Sequence, residues 1–328
     1  VNKRRILLVR EKRNMKDIIL SAAQFEHRSG DKKYNLSVIE HLATQAKDKG
    51  AQVVSFHELS ITGYTFLKDL NIHEIHDLSE EVRGGPSIET LKQIAGDLRI
   101  VILAGLVERY RGKLYNAYVA VDGKNILAVF RKLHPFINKY LQPGDSYLVF
   151  ELFGWKCSIL ICYDNNIIEN VRAVTLKGAQ ILFAPHVTGG TPSPMPGRGS
   201  IPKELWDNRE KDPESLRKEF LSLKGREWLM RWLPTRAFDN GIYVAFSNNI
   251  GWDHDHVKPG NAMIIDPFGE ILVESNELDN DVITIACTSE KLWQAGGYRY
   301  IHARKPELYK DIVGKPNKSV TRPVWMKK

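Results

Sequence analysis

Short apolar runs of strand length alternate with longer stretches of helical periodicity along almost the whole chain. Residues 18–22 are apolar nearly throughout and predict a strand. Over 34–49 the apolar residues Leu36, Ile39, Leu42, Ala43 and Ala46 recur every three or four positions, the stripe of an amphipathic helix. The same reasoning predicts strands at 53–56 and 100–106 with a helix at 87–98 between them. Residues 113–121 and 125–131 flank Asp122-Gly123, a turn pair that marks a hairpin. Strands follow at 147–152 and 156–161, then a helix over 165–176, a strand at 181–184, a helix over 226–240, and strands at 242–247, 262–265, 270–274 and 281–286. Strand–helix alternation of this kind predicts an α/β domain. One segment breaks it. Residues 189–224 open with Gly, Pro and Ser and continue as charged helical stretches. An insertion of that length in a compact domain is usually functional or mobile, so it either covers a site or forms a peripheral excursion.

Chemistry concentrates at three strand ends. The run that ends in Leu160-Ile161 leads into Cys162-Tyr163-Asp164-Asn165, which puts a thiol on a predicted strand-to-helix turn. Unpaired N–H groups and the positive end of a helix favour a thiolate and an oxyanion at such a place. A single cysteine is more often a buried small hydrophobe. Two further residues change that weighing: Glu58 closes the strand Val53-Val54-Ser55-Phe56, and Lys132 closes Ile126-Leu127-Ala128-Val129-Phe130. Each alone would suit solvent beyond the sheet edge. Three together suit the crevice outside strand ends where α/β sheets bind ligands. Tyr64, His134 and His186 lie near these ends and are candidate pocket residues, with core packing as the other reading of the tyrosine. Arg236 and Asn240, four apart on one helix face, read as structural.

In this setting the chain resembles the nitrilase superfamily, the carbon–nitrogen hydrolases. Glu58 sits in an E-L-x-x-T-G-Y block, Lys132 in R-K-x-H and Cys162 in C-Y-D with Glu169 seven residues on. Arg236-Ala237-Phe238-Asp239-Asn240 and Arg304-Lys305-Pro306-Glu307-Leu308-Tyr309 follow in family order. The resemblance implies a four-layer α-β-β-α sandwich with two mixed six-stranded sheets, a Glu58-Lys132-Cys162 triad, and assembly as a homodimer or larger homo-oligomer. It implies hydrolysis of a small-molecule amide or N-carbamoyl group through a cysteine thioester, with Glu58 as base, Lys132 and the Tyr163 N–H as oxyanion donors, and neither metal nor cofactor. A nitrile substrate, or a catalytically silent member used as a binding scaffold, are the alternatives. The chain departs from the family in two places. Many members carry a second glutamate between lysine and cysteine, whereas residues 133–144 contain no acid, and Asn138 is a candidate replacement. Carbamoylase-like members place arginines three and four residues after the cysteine. Here those positions hold Asn165 and Asn166, and Asn166 stands as a candidate substrate contact.

Composition narrows the remaining options. The net charge of +8 over 328 residues lies in the ends. Residues 1–16 contribute +6 and residues 314–328 contribute +5, which leaves the body near −3. No basic stripe runs through the fold, so nucleic acid is a poor partner. No apolar run reaches membrane-spanning length. Three cysteines are too few and too odd in number for a disulfide framework, which favours a reducing cytoplasm. Residues 1–14 are expected to be a disordered extension ahead of a working start at Met15, residues 15–312 one hydrolase domain, and 313–328 a basic tail.

Overall fold

Alternation along each strand decides which layer a side chain joins. In β1 (Ile18–Gln24), Ile18, Leu20 and Ala22 enter the apolar core between two sheets, while Ala23 turns toward the helices outside. The computed structural model describes residues 15–315. The sequence expectations for 1–14 and for most of the C-terminal tail therefore fall outside the described residues.

Helix α1 (Lys32–Asp48) follows β1 and lays Leu36, Ile39, Leu42, Ala43 and Ala46 on the outer face of the first sheet. The chain then runs through β2 (Val53–Ser55), helices α2 (Ile72–Leu78) and α3 (Pro86–Leu98), and strands β3 (Val101–Tyr110), β4 (Lys113–Val121) and β5 (Ile126–Arg131). With the last strand of the fold, β14 (Asp281–Cys287), these make a six-stranded sheet, order β14-β1-β2-β3-β4-β5, in which β1, β2 and β3 are parallel and the other neighbours antiparallel. The second sheet is built from β6 (Phe150–Leu152), β7 (Trp155–Ile159), β8 (Ile181–His186) and β9 (Tyr243–Asn248), and later from β12 (Met263–Ile265) and β13 (Ile271–Glu274), in the order β13-β12-β9-β8-β7-β6. Its centre, β7-β8-β9, is again parallel. Strand β14 (Asp281–Cys287) returns the chain to the first sheet. The layers are α-β-β-α, as the resemblance implies. One core cluster runs between the sheets, joining Leu103, Tyr118 and Phe130 of the first to Ile159, Leu182 and Phe246 of the second.

Three local outcomes differ from the sequence expectation. The helix expected from residue 165 begins at Ile168 as α4 (Ile168–Leu176), and Cys162–Asn165 form a separate 3-10 turn. The Asn165 side chain donates back to the carbonyls of Leu160 at 2.7 Å and Cys162 at 3.3 Å, which competes with helix propagation. The helix expected over 226–240 splits into Arg226–Met230 and Leu233–Phe238, with Pro234 at the start of the second piece. The segment around His254 and His256, where the sequence pattern predicts no strand, is a two-stranded hairpin, β10 (Ile250–Asp253) with β11 (His256–Pro259). Within 189–224, helices Lys203–Asp207 and Pro213–Leu221 pack Trp206, Leu216 and Phe220 against Ile250 and Val257 of that hairpin. Among the described residues no helix is long and apolar enough to cross a membrane.

Two contacts tie the site-bearing end of β2 to its surroundings. The Ser55 and Ser247 hydroxyls hydrogen-bond one another across the two sheets at 2.8 Å. The Tyr118 hydroxyl donates to the Phe56 carbonyl at 2.5 Å, two residues before Glu58. Tyr118→Phe removes that buried bond and is expected to lower unfolding free energy by about 1–2 kcal/mol. A reduced urea midpoint at unchanged slope would show this, whereas an unchanged midpoint would mean that the hydroxyl locks nothing.

Candidate active site

Each charged side chain reaches the site because a strand stops just before it. After β2 the backbone turns through Phe56, His57 and Glu58, and Leu59 takes a left-handed conformation. That turn lies directly on β3 at Gly105, where an added Cβ would sit 2.4 Å from the Leu59 nitrogen, so only glycine fits. Lys132 follows β5, and its N–H donates to the Asn116 carbonyl of β4 at 2.9 Å. Cys162 follows β7 and is itself left-handed, with φ of 49°. The first sheet thus supplies the acid and the ammonium, and the second supplies the sulfur.

The structure brings these three heads together. Lys132 Nζ donates to Glu58 Oε1 at 2.6 Å, with the lysine 1% and the glutamate 0% exposed. Asn116 Nδ2 donates to the same oxygen at 2.6 Å, which leaves Oε2 without a protein partner. Burial alone would lower the lysine, but the fields of Glu58 and Asp164 and the Glu58 hydrogen bond outweigh it and hold the ammonium above its ordinary value. The rings of Phe136 and Tyr64 flank it, centroids 4.9 and 5.5 Å from Nζ. The Cys162 thiol lies beside Glu58 and faces the Val187 N–H just past β8. Burial first, then the Glu58 charge, push this thiol up to about 12 against the opposing pull of Lys132 and that N–H. At neutral pH this thiol keeps its proton. The resting arrangement is therefore an ion pair beside a neutral thiol.

The turn that carries the sulfur is braced from both sides. The buried Asp164 carboxylate accepts from the N–H groups of Leu133 and His134, at 3.2 and 2.9 Å, and from Ile161 N–H at 3.2 Å. It thereby bolts the lysine loop to the cysteine turn. Arg236 donates to the carbonyls of Asn165 and Asn166, at 2.8 and 3.1 Å, from behind.

The other expected residues take varied places. His134 spends its imidazole on Asp164, Nδ1 to Oδ1 at 2.9 Å. His186 is buried, with Nε2 3.1 Å from the Asn165 amide, and burial together with the Lys132 charge lowers it well below its ordinary value. The Tyr64 hydroxyl is buried with no protein partner and feels Glu58 and Cys162. The Tyr163 ring lies edge-on to Phe136, and its N–H finds no acceptor among the described residues. Asn166 contributes its carbonyl to Arg236. Asn138 does not reach the triad. Its amide donates to the carbonyls of Leu67 and Leu70, at 2.7 and 2.9 Å, as a loop brace. Sequence reasoning missed the orienting role of Asn116, the Asp164 clamp, and a buried chain in which Asp253 bonds His27 at 3.0 Å and His27 bonds His57 at 2.9 Å. It also missed Lys258, 1% exposed on β11. Among the described residues no group of three or more His, Cys, Asp or Glu is arranged to hold a metal ion.

Comparison with known proteins agrees with this architecture. The profile of the carbon–nitrogen hydrolase family matches residues 19–295. The chain belongs to the carbon–nitrogen hydrolase family. A 2-oxoglutaramate amidase of Bacillus subtilis is 31% identical over 261 residues, covering 78% of this chain and 85% of that protein. An N-carbamoylputrescine amidase of Oryza sativa is 26% identical, over 85% of this chain and 89% of that one. A nitrilase of Pyrococcus abyssi is 27% identical, over 76% and 81%. The same fold occurs in an amidase from Nesterenkonia sp. AN1 that carries the acetamide moiety of fluoroacetamide on its active site cysteine. That structure has a TM-score of 0.66 at 21% identity and covers 90% of this chain and 96% of its own. The hydrolase described here is an enzyme of C–N bonds.

A neutral resting thiol has an optical consequence. The thiolate absorbance near 240 nm, taken as wild type minus Cys162→Ala, is expected to stay flat from about pH 6 to 10. A step centred near the ordinary thiol value of about 8.5 would contradict the buried, carboxylate-flanked environment.

Proposed function

We propose that this hydrolase cleaves an amide or N-carbamoyl C–N bond of a small molecule, with Cys162 as nucleophile, Glu58 as general base and acid, and Lys132 as the oxyanion's cation. The observation that carries the reading is the buried 2.6 Å Glu58–Lys132 pair set against the thiol. Because the thiol rests neutral, its proton leaves as the sulfur attacks, and Glu58 is positioned to receive it. The C–S bond forms while the carbonyl π pair moves to oxygen. Lys132 Nζ and the unpaired N–H of Tyr163 are the donors for that oxyanion. Collapse breaks the C–N bond, and the leaving amine or ammonia takes the proton from Glu58. Water then gives its proton to Glu58 and attacks the thioester. The C–S bond breaks, and the proton returns to sulfur as the acid departs.

Asn116 leaves one carboxylate oxygen free for this traffic by holding the other. Tyr64, His134, Asn166 and His186 belong in this proposal as pocket walls and braces rather than as groups that touch the reacting atoms. The same reading puts the enzyme in a reducing cytoplasm, supported by three buried free cysteines. It also makes the enzyme a homodimer or larger homo-oligomer, supported by the exposed Ile168, Leu176, Phe238 and Tyr300.

The test is ammonia release from a panel of amides, N-carbamoyl amines and nitriles, with intact-protein mass on the same samples. Wild type is expected to turn over an amide or carbamoyl compound and to carry an acyl adduct. Cys162→Ala should lose the adduct and about 10³-fold or more of the rate. Turnover of nitriles alone would favour the nitrilase alternative. Neither ammonia nor adduct from any class would favour a silent binding protein.

A further inference from the structure

Lys258 is a fully buried cation that the mechanism does not use. It lies on β11, in the hairpin that the sequence concealed, and its side chain is 1% exposed. An ammonium has three donors. Among the described residues the only hydrogen bond that Lys258 Nζ makes is a long one, 3.5 Å to the Gly189 carbonyl. Removing such a charge from water without partners is costly, so the placement calls for a compensating group.

Asp253 is nearby but already committed. Its Oδ1 accepts from His27 Nε2 at 3.0 Å and Thr65 N–H at 3.2 Å, and its Oδ2 accepts from the Thr65 hydroxyl at 2.5 Å. The same Asp253 ties the Lys258 hairpin to Thr65, the residue after Tyr64, whose ring flanks Lys132. Burial holds the Lys258 ammonium below its ordinary value, and the carboxylates of Asp253 first, then Asp255 and Glu58, offset that only in part. Gly189, which it touches, lies two residues after Val187, whose N–H faces the Cys162 sulfur.

The mounting is rigid. An added Cβ at Gly190 would lie 1.8 Å from the Val257 carbonyl, and one at Gly251 would lie 2.7 Å from both Glu26 and Trp206. The Trp252 N–H donates to Glu26 at 2.8 Å. The hairpin is thus wedged between the end of β1 and the 189–224 insertion, and the ammonium is preorganised. The Tyr64 hydroxyl, buried and unpartnered beside Glu58 and Cys162, supplies a second open donor.

We propose that Lys258 recognises a carboxylate on the substrate, so that the substrate class is an amide or carbamoyl compound with a negative charge remote from its scissile bond. This rests on the hydrolase reading above and deepens it. One cation, Lys132, serves the carbonyl oxygen that gains charge during reaction, whereas the other, Lys258, serves a charge that is present throughout. Binding by Lys258 therefore selects the substrate and is expected to appear mainly in KM.

The experiment compares kcat/KM for succinamate and glutaramate with chain-matched neutral amides and ω-amino amides, in wild type, Lys258→Met and Lys258→Arg. Wild type is expected to favour the carboxylates by about ten-fold or more. That ratio should fall about ten-fold or more in Lys258→Met, chiefly through KM, and be largely kept in Lys258→Arg. Equal use of neutral amides, a preference for ω-amino amides, or an unchanged ratio in Lys258→Met would each overturn the proposal. Should Lys258→Met fail to fold, wild type decides alone: competitive inhibition by glutarate but not by glutaramide supports the site, and the reverse overturns it. Should no amide be turned over, calorimetry of glutarate with Cys162→Ala separates the two readings. Binding that weakens in Cys162→Ala/Lys258→Met keeps the anion site and discards the amidase, and no binding discards both.

Discussion

The buried ion pair between Glu58 and Lys132 is the constraint around which the site is organised. Neither charge has water to solvate it, so each is tolerable only because the other is 2.6 Å away. Removing one partner of such a pair costs about 3–5 kcal/mol, because the survivor is left buried and uncompensated. The pair also sets the state of the sulfur. A carboxylate beside a desolvated thiol keeps the proton on sulfur at rest. In the proposed reaction the ammonium that steadies the carboxylate at rest is then at hand for the oxyanion.

The fold exists, at this end, to make two sheets meet with their cargo aligned. The acid and the ammonium come from the first sheet and the thiol from the second, so the registry between sheets is the registry of the chemistry. The Ser55–Ser247 contact and the shared core fix the distance between the layers. Asp164 then ties the lysine loop to the cysteine turn, and Arg236 closes the turn from the far side. The acid missing from residues 133–144 has a counterpart of a different kind. The Asp164 carboxylate, carried by the Cys162 turn, holds the lysine loop and adds its field to Lys132.

Much of this was legible from local pattern. Glu58, Lys132 and Cys162 stand out because each breaks an apolar strand, and the helical stripe of α1 and the Asp122-Gly123 hairpin are short-range signals. What stayed hidden depended on side chains acting at a distance. Asn165 looks like helix sequence, yet its amide turns back to Leu160 and ends the 3-10 turn. The β10–β11 hairpin turns at His254-Asp255, with His254 at φ of 62°, and lacks the Asn-Gly or Asp-Gly pair that advertises such turns. Lys258 was lost with it, since one lysine in a polar stretch reads as surface until the packing of Val257 against the insertion buries it. Asn138 is the converse: a polar residue at a suggestive position that the structure spends on loop carbonyls.

The central claim is that Glu58 and Lys132 act on Cys162 as one unit. Its most direct test is the second-order rate of Cys162 alkylation by iodoacetamide, followed by intact mass in wild type, Glu58→Gln, Lys132→Met and the double variant. Each single change is expected to slow alkylation by about 10²-fold or more, with the double variant within about 3-fold of the slower single. Losses that multiply in the double variant would mean that the acid and the ammonium act independently, and would contradict the account.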